Sequence, residues 1–299
     1  MTAARSLSVT RGVALQCTRK LLKNPLKALP PVILPLFVFA AFSGALSAVG
    51  DTPGFGYYDF TAFLFVFILY MAAMFVGVFT AFDIAIDYAS GLGARFMIAA
   101  PQRMAIVTGY VIVALGRGVV GIAVVWAIAL ATGMPVRGDA PEIAGIVVLA
   151  LLLNVAATLY GAGIALRFQS TASSVLILIP VFMALFLTPA IVPRDRLGSW
   201  LGTLAGINPL TPPLEAGRGF LAGDPVSVVL AFALAIGLVI VFWIWAMRGM
   251  RRAEQGPGAT RRRGPGRRRR PGGRRRERGG RRRRPGRRRQ PGASPSPLP

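Results

Sequence analysis

FTAFLFVFILYMAAMFVGVFTAF, residues 60–82, contains no charged residue. An α-helix rises about 1.5 Å per residue and the hydrocarbon core of a bilayer is about 30 Å thick, so about 20 apolar residues are enough to cross it. Inside lipid, the backbone of such a segment must satisfy its own hydrogen bonds. The stretch therefore predicts a transmembrane α-helix.

Five more windows are long and apolar, and Arg117 is the one charge they contain. They are 28–50, 104–136, 143–166, 168–193 and 225–247. The sequence thus predicts an all-α integral membrane protein with six transmembrane helices. Six is an even number, so both termini are expected on the same side of the membrane.

Basic residues in the connecting segments predict the orientation. One side of the six-helix layout carries nine lysines and arginines before the C-terminal tail is counted, and the other side carries four. The positive-inside rule then places both termini in the cytoplasm of a multi-pass protein of the cell membrane. The apolar run nearest the N-terminus begins only near residue 28, so no cleavable signal peptide is expected.

The net charge of +24 is concentrated in the tail. Residues 248–299 contain 21 of the 35 basic residues, all arginine, and two of the 11 acidic residues. The tail therefore carries +19 and residues 1–247 carry +5. Its Arg/Gly/Pro-rich composition predicts a disordered cytoplasmic segment.

Three interpretations of this tail remain open. It binds anionic lipid headgroups, to which each nearby basic residue contributes about 1 kcal/mol. It binds nucleic acid nonspecifically, which is the least favoured interpretation. Or it has no selected function, because GC-rich codons encode arginine, glycine and proline, and the run contains no lysine.

Several kinds of chemistry are excluded by composition. The chain has no histidine and one cysteine, Cys17, which rules out histidine-based catalysis and an internal disulfide. No G-x-x-x-x-G-K-[ST] motif occurs, so the chain does not cradle a nucleotide in the P-loop manner. We therefore expect no catalytic site, no metal and no cofactor in this chain.

The N-terminal segment before residue 28 is weakly amphipathic. On a helix, Val13, Cys17 and Leu21 share one face, while Arg19 and Lys23 share another. This pattern predicts a cytoplasmic helix lying on the membrane. A flexible basic flank is the alternative.

Two polar residues lie inside predicted spans. Asn154 either forms a hydrogen bond between helices or lines a translocation path. Arg117 either snorkels to the cytoplasmic leaflet or provides a functional cation facing a cavity. Every Asp and Glu is expected at the edge of a span or in a connecting segment.

Between the second and third spans, residues 82–103 read FDIAIDYASGLGARFMIAAPQR. This stretch is too polar to span a membrane and too short to be a domain. It is either a polar turn or a docking element. On the other side of the membrane, residues 197–214 are uncharged but rich in glycine and proline. They predict a short helix that is broken after Ile207 and carries Trp200 at the membrane interface, without crossing.

Several stretches together resemble the membrane subunits of ABC-2 type exporters, in particular the daunorubicin-resistance permease branch of actinobacteria. Residues 87–110, DYASGLGARFMIAAPQRMAIVTGY, have the acidic residue, glycine, basic residue and Pro-x-Arg of that family. Residues 187–223 have its Val-Pro, Trp-Leu, Asn-Pro and Glu-x-x-Arg order. Two positions depart from the pattern: Tyr88–Leu92 replaces the usual Glu-Arg-Gly-Thr, and Phe96-Met97 replaces a leucine pair. The resemblance covers residues 1–247.

The resemblance implies that the stretch between spans two and three is a coupling helix that docks on a separate ATPase subunit. Its site residues would be Asp87, Ser90, Gly91, Arg95, Pro101 and Arg103. It also implies outer re-entrant helices, marked by Trp200, Asn208, Pro209, Glu215 and Arg218. Glu215 and Arg218 are three residues apart and are expected to pair on one helical face.

The implied function is that of the permease subunit of an ATP-driven exporter for a hydrophobic small molecule, such as a drug or secondary metabolite. Its partners would be an ATPase subunit that binds the ATP, a second permease copy in a homo- or heterodimer, and membrane lipid. Two alternatives remain open: a non-transporting membrane protein whose basic tail organises lipid or a partner, and an ATP-independent carrier. The expected divisions are 1–27, 28–247 and 248–299.

Overall fold

A computed structural model of the chain describes residues 2–24, 26, 29–46, 48, 50, 55–99 and 104–254. These residues contain α-helices and no β-strand, which confirms the predicted all-α class. The helices are α1 Thr2–Lys23, α2 Pro30–Ala45, α3 Phe60–Ala89, α4 Leu92–Ala99, α5 Met104–Ala131, α6 Ala140–Phe168, α7 Ser173–Phe186, α8 Ser199–Ile207, α9 Thr211–Ala222 and α10 Val228–Glu254.

Helix α3 is the centre of the fold. Asp59 begins it, because its carboxylate accepts a 2.7 Å hydrogen bond from the backbone N–H of Ala62. The helix is apolar on all sides, as expected of a helix enclosed by others, and 94% of its most apolar window is buried. Helices α2, α5, α6, α7 and α9 pack around it, and α10 packs on the far side of α6.

Four helices among the described residues are long and apolar enough to cross a membrane: α3, α5, α6 and α10. The other two predicted spans correspond to α2 and α7, which have 16 and 14 residues and therefore reach about 24 and 21 Å. Prolines account for part of the difference. Pro30 and Pro31 start α2 late, and α7 ends just before Pro189. Six crossings therefore remain a prediction.

Helix α1 confirms the predicted N-terminal helix and its apolar face. Val13 and Cys17 are buried, and the Thr10 hydroxyl donates a 3.1 Å hydrogen bond to the carbonyl oxygen of Ala105 at the start of α5. The apolar face thus packs on protein, whereas the sequence had assigned it to the membrane surface. Burial raises the pKa of the Cys17 thiol to about 12, so it is not a nucleophile at neutral pH.

Helices α3 and α6 approach each other closely at Gly77. A Cβ atom at this position would press against the carbonyl oxygen of Asn154 and lie 2.9 Å from the Thr158 hydroxyl. Because both neighbours belong to the helix backbone or to a short side chain, neither can move aside easily. Glycine at this position therefore sets the distance between the two helices.

We expect Gly77→Ala to lower the free energy of unfolding by about 1–3 kcal/mol, because overpacking would push α3 and α6 apart. Thermal unfolding in detergent measures the effect. Gly116→Ala on α5 is the matched control, since its Cβ would meet nothing within 4 Å. Helix propensity should make the control neutral or more stable by up to about 1 kcal/mol. Equal stability of the two variants would contradict the close helix contact.

The segment after α7 confirms the predicted helix break. Helix α8 ends at Ile207, and Asn208 turns the chain by donating a 2.6 Å hydrogen bond from its amide to the carbonyl oxygen of Ala184. Its side-chain oxygen accepts a 3.0 Å hydrogen bond from the backbone N–H of Leu210. Trp200 is exposed on α8, as expected of a residue at the membrane interface, and Pro209 is exposed at the turn before α9.

Candidate coupling site and the cavity beside Arg218

The polar stretch that follows the second predicted span begins as a continuation of α3. Asp83 and Asp87 lie within the helix, which ends only at Ala89. Gly91 then turns the chain with a φ of 79°, a left-handed conformation that glycine adopts without strain. Ser90 closes the turn by donating a 3.1 Å hydrogen bond from its hydroxyl to the carbonyl oxygen of Asp87. The stretch is therefore a helix extension and a corner leading into α4.

Asp87 anchors three helices to one another. Its carboxylate forms an ion pair with Lys20 of α1 and accepts a 2.7 Å hydrogen bond from the Tyr110 hydroxyl of α5. The Asp87 residue is 3% exposed. Both of its oxygens are thus bonded inside the protein, and the assignment of Asp87 to a coupling segment stays a prediction. Its place in the structure is that of a positioning residue at the base of α4.

The partners of Asp87 were missed from the sequence. Lys20 is 67 residues away and Tyr110 is 23 away, so no local spacing links them. One signal was present for Lys20. It lies seven residues after Val13, which places it on the apolar face of α1 rather than with Arg19 and Lys23. A lysine at the edge of a buried helix face is within reach of an acidic partner on the helix that covers that face.

One face of helix α4 points away from the rest of the protein and exposes a basic and an apolar side chain. Arg95 is exposed and has no hydrogen bond or ion pair among the described residues. Ile98, three residues later on the same face, is 88% exposed. No sequence motif pointed to Ile98. Beneath α4, the ring of Tyr88 lies where a Cβ of Gly93 would be, so the two helices pack closely. Pro101 and Arg103 lie outside the described residues.

Arg117 of α5 forms an ion pair with Asp83 of α3 at 2.7 Å. A second, longer contact of 3.4 Å reaches the Thr80 hydroxyl. The sequence offered two interpretations, snorkelling and a cation facing a cavity, and the structure shows a third. Because α3 continues past Phe82, it brings an acidic residue opposite the arginine. The pair lies one helical turn from the Asp87 anchor.

Asn154 is completely buried where α3, α5 and α6 meet. Its amide donates a 2.8 Å hydrogen bond to the carbonyl oxygen of Ala73. This arrangement confirms the interpretation as an interhelical hydrogen bond. The alternative, in which Asn154 lines a translocation path, stays a prediction.

At the other end of the molecule, Arg218 of α9 is buried against α3. Its guanidinium donates hydrogen bonds to three carbonyl oxygens, those of Phe63, Pro189 and Ala190, at 3.1, 2.7 and 2.8 Å. It also lies 3.4 Å from the centre of the Phe63 ring, close enough for a cation–π interaction. Burial lowers the pKa of Arg218 to about 9, which still leaves it charged at neutral pH.

The predicted pairing of Glu215 with Arg218 is wrong. The two residues form no ion pair in the described part of the chain, because the donors of Arg218 bond to backbone carbonyls left free where α7 ends. Glu215 is half-buried, and burial raises its pKa, although Arg194 and Arg218 lower it in part. A carboxylate without an ion pair therefore faces the space next to Arg218.

That space is an open cavity of about 950 Å³. Aromatic rings of Tyr57, Tyr58 and Phe63 form part of its wall. Four charged side chains, two of each sign, also line it: Arg194, Arg218, Glu215 and Asp224. A cavity of this size, with an aromatic wall and charged groups at defined positions, resembles those that hold small organic ligands. The sequence indicated Glu215 and Arg218 but not the tyrosines.

Comparison with protein families identifies the group to which these features belong. Residues 12–221 match the ABC-2 type transporter family. This chain belongs to the ABC-2 type transporter family. No curated protein matches it.

As an ABC-2 family member, the chain is a multi-pass membrane protein and the permease component of an ABC transporter. Permeases of the ABC-2 family pair with an ATPase subunit, and the membrane component is not itself the catalytic part. The matched region runs from α1 to α9. It therefore includes the Asp87 anchor, α4 and the cavity beside Arg218.

Proposed function

We propose that this ABC-2 permease is the membrane subunit of an exporter of the daunorubicin-resistance type. Two permease copies, identical or different, work with two ATPase subunits and move a hydrophobic drug or secondary metabolite outward. ATP binds to the ATPase, and this chain holds no cofactor. Both termini and α4 face the cytoplasm, and the cavity beside Arg218 faces the outside.

The exposed surface of α4 carries the proposal. Ile98 is the most exposed large hydrophobic side chain among the described residues, and Arg95 lies on the same face. An isoleucine left in water beside an unpaired arginine is typical of a surface that a partner covers. We assign this surface to the ATPase, with Ser90, Gly91, Pro101 and Arg103 forming the segment that bears it.

The anchoring of α4 explains how the movement of an ATPase reaches the membrane. The helix packs on Tyr88, and Asp87 bonds the end of α3 to α1 and α5. A push on α4 is thereby transmitted to three helices at once, as a rigid-body shift and not as a local bend. The Arg117–Asp83 pair one turn further along joins α5 to α3 a second time.

The outer cavity supports the proposed substrate class. Its aromatic wall suits a flat hydrophobic molecule, and Glu215 and Arg194 suit polar groups at the edge of that molecule. In the proposed direction of transport, a molecule released by the membrane helices enters this cavity before it leaves. Trp200 of α8 and Pro209 then belong to the outer cap of the exit path.

The docking of α4 is tested by co-purification with a candidate ABC ATPase subunit produced together with this chain. We expect the wild-type chain to retain the ATPase in detergent and the double variant Arg95→Glu/Ile98→Glu to lose at least nine-tenths of it. Reversing the charge of Arg95 and placing a carboxylate at the apolar contact of Ile98 should each cost more than about 1.4 kcal/mol of binding free energy. That is a tenfold change in affinity for each substitution. Arg251→Glu, an exposed arginine on α10, is the control and should retain the ATPase. Equal retention by all three proteins would overturn the docking proposal.

Direction and substrate are tested in inside-out membrane vesicles. We expect ATP-dependent uptake of daunorubicin when permease and ATPase are both present, and no uptake with either alone. Uptake by the permease without the ATPase would identify an ATP-independent carrier. If no uptake occurs, and deletion of 255–299 alters lipid or partner binding while the α4 variant does not, a non-transporting protein is indicated.

A further inference from the structure

A basic cleft lies between the ends of α6 and α10, away from both sites described above. Its volume is about 150 Å³, and its lining residues are Gly163, Arg167, Trp245, Arg248, Gly249 and Arg252. We propose that this cleft binds the phosphate group of an anionic phospholipid. The group bound in the cleft is a phosphate anion, and a phospholipid of the surrounding bilayer supplies it.

Close packing of the two helices forms the floor of the cleft. A Cβ at Gly249 would lie 2.6 Å from the carbonyl oxygen of Gly163, so the backbones nearly touch. Trp245 covers Gly163 and is fixed in place, since its ring N–H donates a 3.2 Å hydrogen bond to the carbonyl oxygen of Tyr160. The cleft is therefore a fixed depression and does not depend on flexible side chains for its floor.

Three arginines from two helices surround this floor. Arg167 is in the last turn of α6, and Arg248 and Arg252 are one turn apart on α10. All three are exposed, and none forms an ion pair with a carboxylate among the described residues. Three guanidinium groups without an anion around one depression are suited to a phosphate, which accepts paired hydrogen bonds from their planar N–H groups.

The position of the cleft along the helices favours a lipid. It lies at the polar end of two membrane-spanning helices, beside Trp245, and the apolar residues of α10 continue directly from it. A tryptophan and arginines at the end of a span mark the level of the lipid headgroups. A phosphate held there leaves its acyl chains beside exposed apolar side chains such as Ile244 and Val241.

Lipid retention on the full-length purified protein tests the site. Phosphatidylglycerol and phosphatidylcholine with the same acyl chains are added at equal concentration, and the bound lipids are counted by native mass spectrometry. We expect the wild type to prefer phosphatidylglycerol. Each arginine contributes about a fivefold factor, so Arg248→Gln/Arg252→Gln should weaken its binding about 25-fold.

Arg251→Gln is the matched control, because Arg251 is exposed on α10 between these positions but does not line the cleft. It should change phosphatidylglycerol binding by less than about twofold. An equal loss in the control and in the cleft variant would show diffuse charge attraction and overturn the proposal. Retention unchanged in the cleft variant would overturn it as well.

A second readout locates the lipid. Phosphatidylglycerol with brominated acyl chains should quench wild-type tryptophan fluorescence, and Trp245→Phe should remove most of that quenching. Displacement by millimolar inorganic phosphate would indicate a free anion as the ligand and overturn the lipid assignment. Unchanged lipid binding with loss of the ATPase in the cleft variant would indicate an acidic protein surface instead, and would also overturn it.

Discussion

Arg218→Met is expected to lower the free energy of unfolding by about 3–5 kcal/mol, which is a large part of the stability of a typical protein. The substitution keeps an unbranched, though shorter, side chain and removes every donor. The carbonyl oxygens of Pro189 and Ala190 would then be buried without partners, at about 1–3 kcal/mol each before relaxation. That of Phe63 would lose the bond from Arg218 but keep its hydrogen bond within α3. The cation–π contact with Phe63 would also be lost.

The measurement is the apparent melting temperature in detergent, followed by fluorescence-detected size exclusion. Arg218→Lys is the informative comparison, because a single ammonium group keeps the charge but does not reach three carbonyls in the geometry of the fork. Arg218→Lys should recover less than half of the unfolding free energy that Arg218→Met loses. Arg251→Met makes an exposed arginine equally apolar. Its free energy of unfolding should stay within about 0.5 kcal/mol of that of the wild type. A stable Arg218→Met variant would contradict the role of this residue in joining α9 to α3 and to the end of α7.

The second large effect is expected at the Asp87 anchor, and it should be asymmetric. Side chains of Lys20 and Asp87 are 48% and 4% exposed. Lys20→Met would leave a buried carboxylate with only the Tyr110 hydroxyl as a partner, at a cost of about 2–4 kcal/mol. Asp87→Asn would leave a lysine that water can solvate, and it should cost about 1–2 kcal/mol less than Lys20→Met.

A double-mutant cycle measures this asymmetry. In Lys20→Met/Asp87→Asn no buried charge remains, so the double variant should be more stable than Lys20→Met alone, with a coupling energy of about 1–3 kcal/mol. Arg19→Met, next to Lys20 but exposed on α1, is the control and should be near neutral. Additive effects of the two substitutions would show that the ion pair does not hold α1 to α3.

Much of the helical architecture follows from the sequence, and the exceptions have physical causes. The long apolar stretch without charges predicted α3. The proline and glycine content of 197–214 predicted the end of α8 at Ile207. The end of α3 was placed too early, at Phe82, because the charge of Asp83 was taken as a boundary. A charged residue does not end a helix, whereas the positive φ of Gly91 does.

The candidate sites were less predictable because their contacts are tertiary. Local spacing paired Glu215 with Arg218, but free carbonyls at Pro189 and Ala190, supplied by a different segment, accept from the arginine instead. Arg117 meets Asp83 only because α3 and α5 pack side by side. The motif residue Arg95 lies on the exposed surface of α4. Ile98 on the same face belongs to no motif, and only its exposure in the structure identifies it.

Cross-linking from α4 tests the coupling account at its decisive contact. Cys17 is the one cysteine of the chain, so Cys17→Ser gives a background in which an introduced cysteine is unique. Ile98→Cys and Ile207→Cys place that cysteine on the short helices α4 and α8, at positions that are 88% and 76% exposed. In membranes containing the ATPase, a short bifunctional thiol reagent is predicted to join the ATPase to the Ile98→Cys variant and not to the Ile207→Cys variant. If the ATPase co-purifies but the α4 variant does not cross-link, or if the α8 variant does, α4 is not the docking helix and the proposed coupling is wrong.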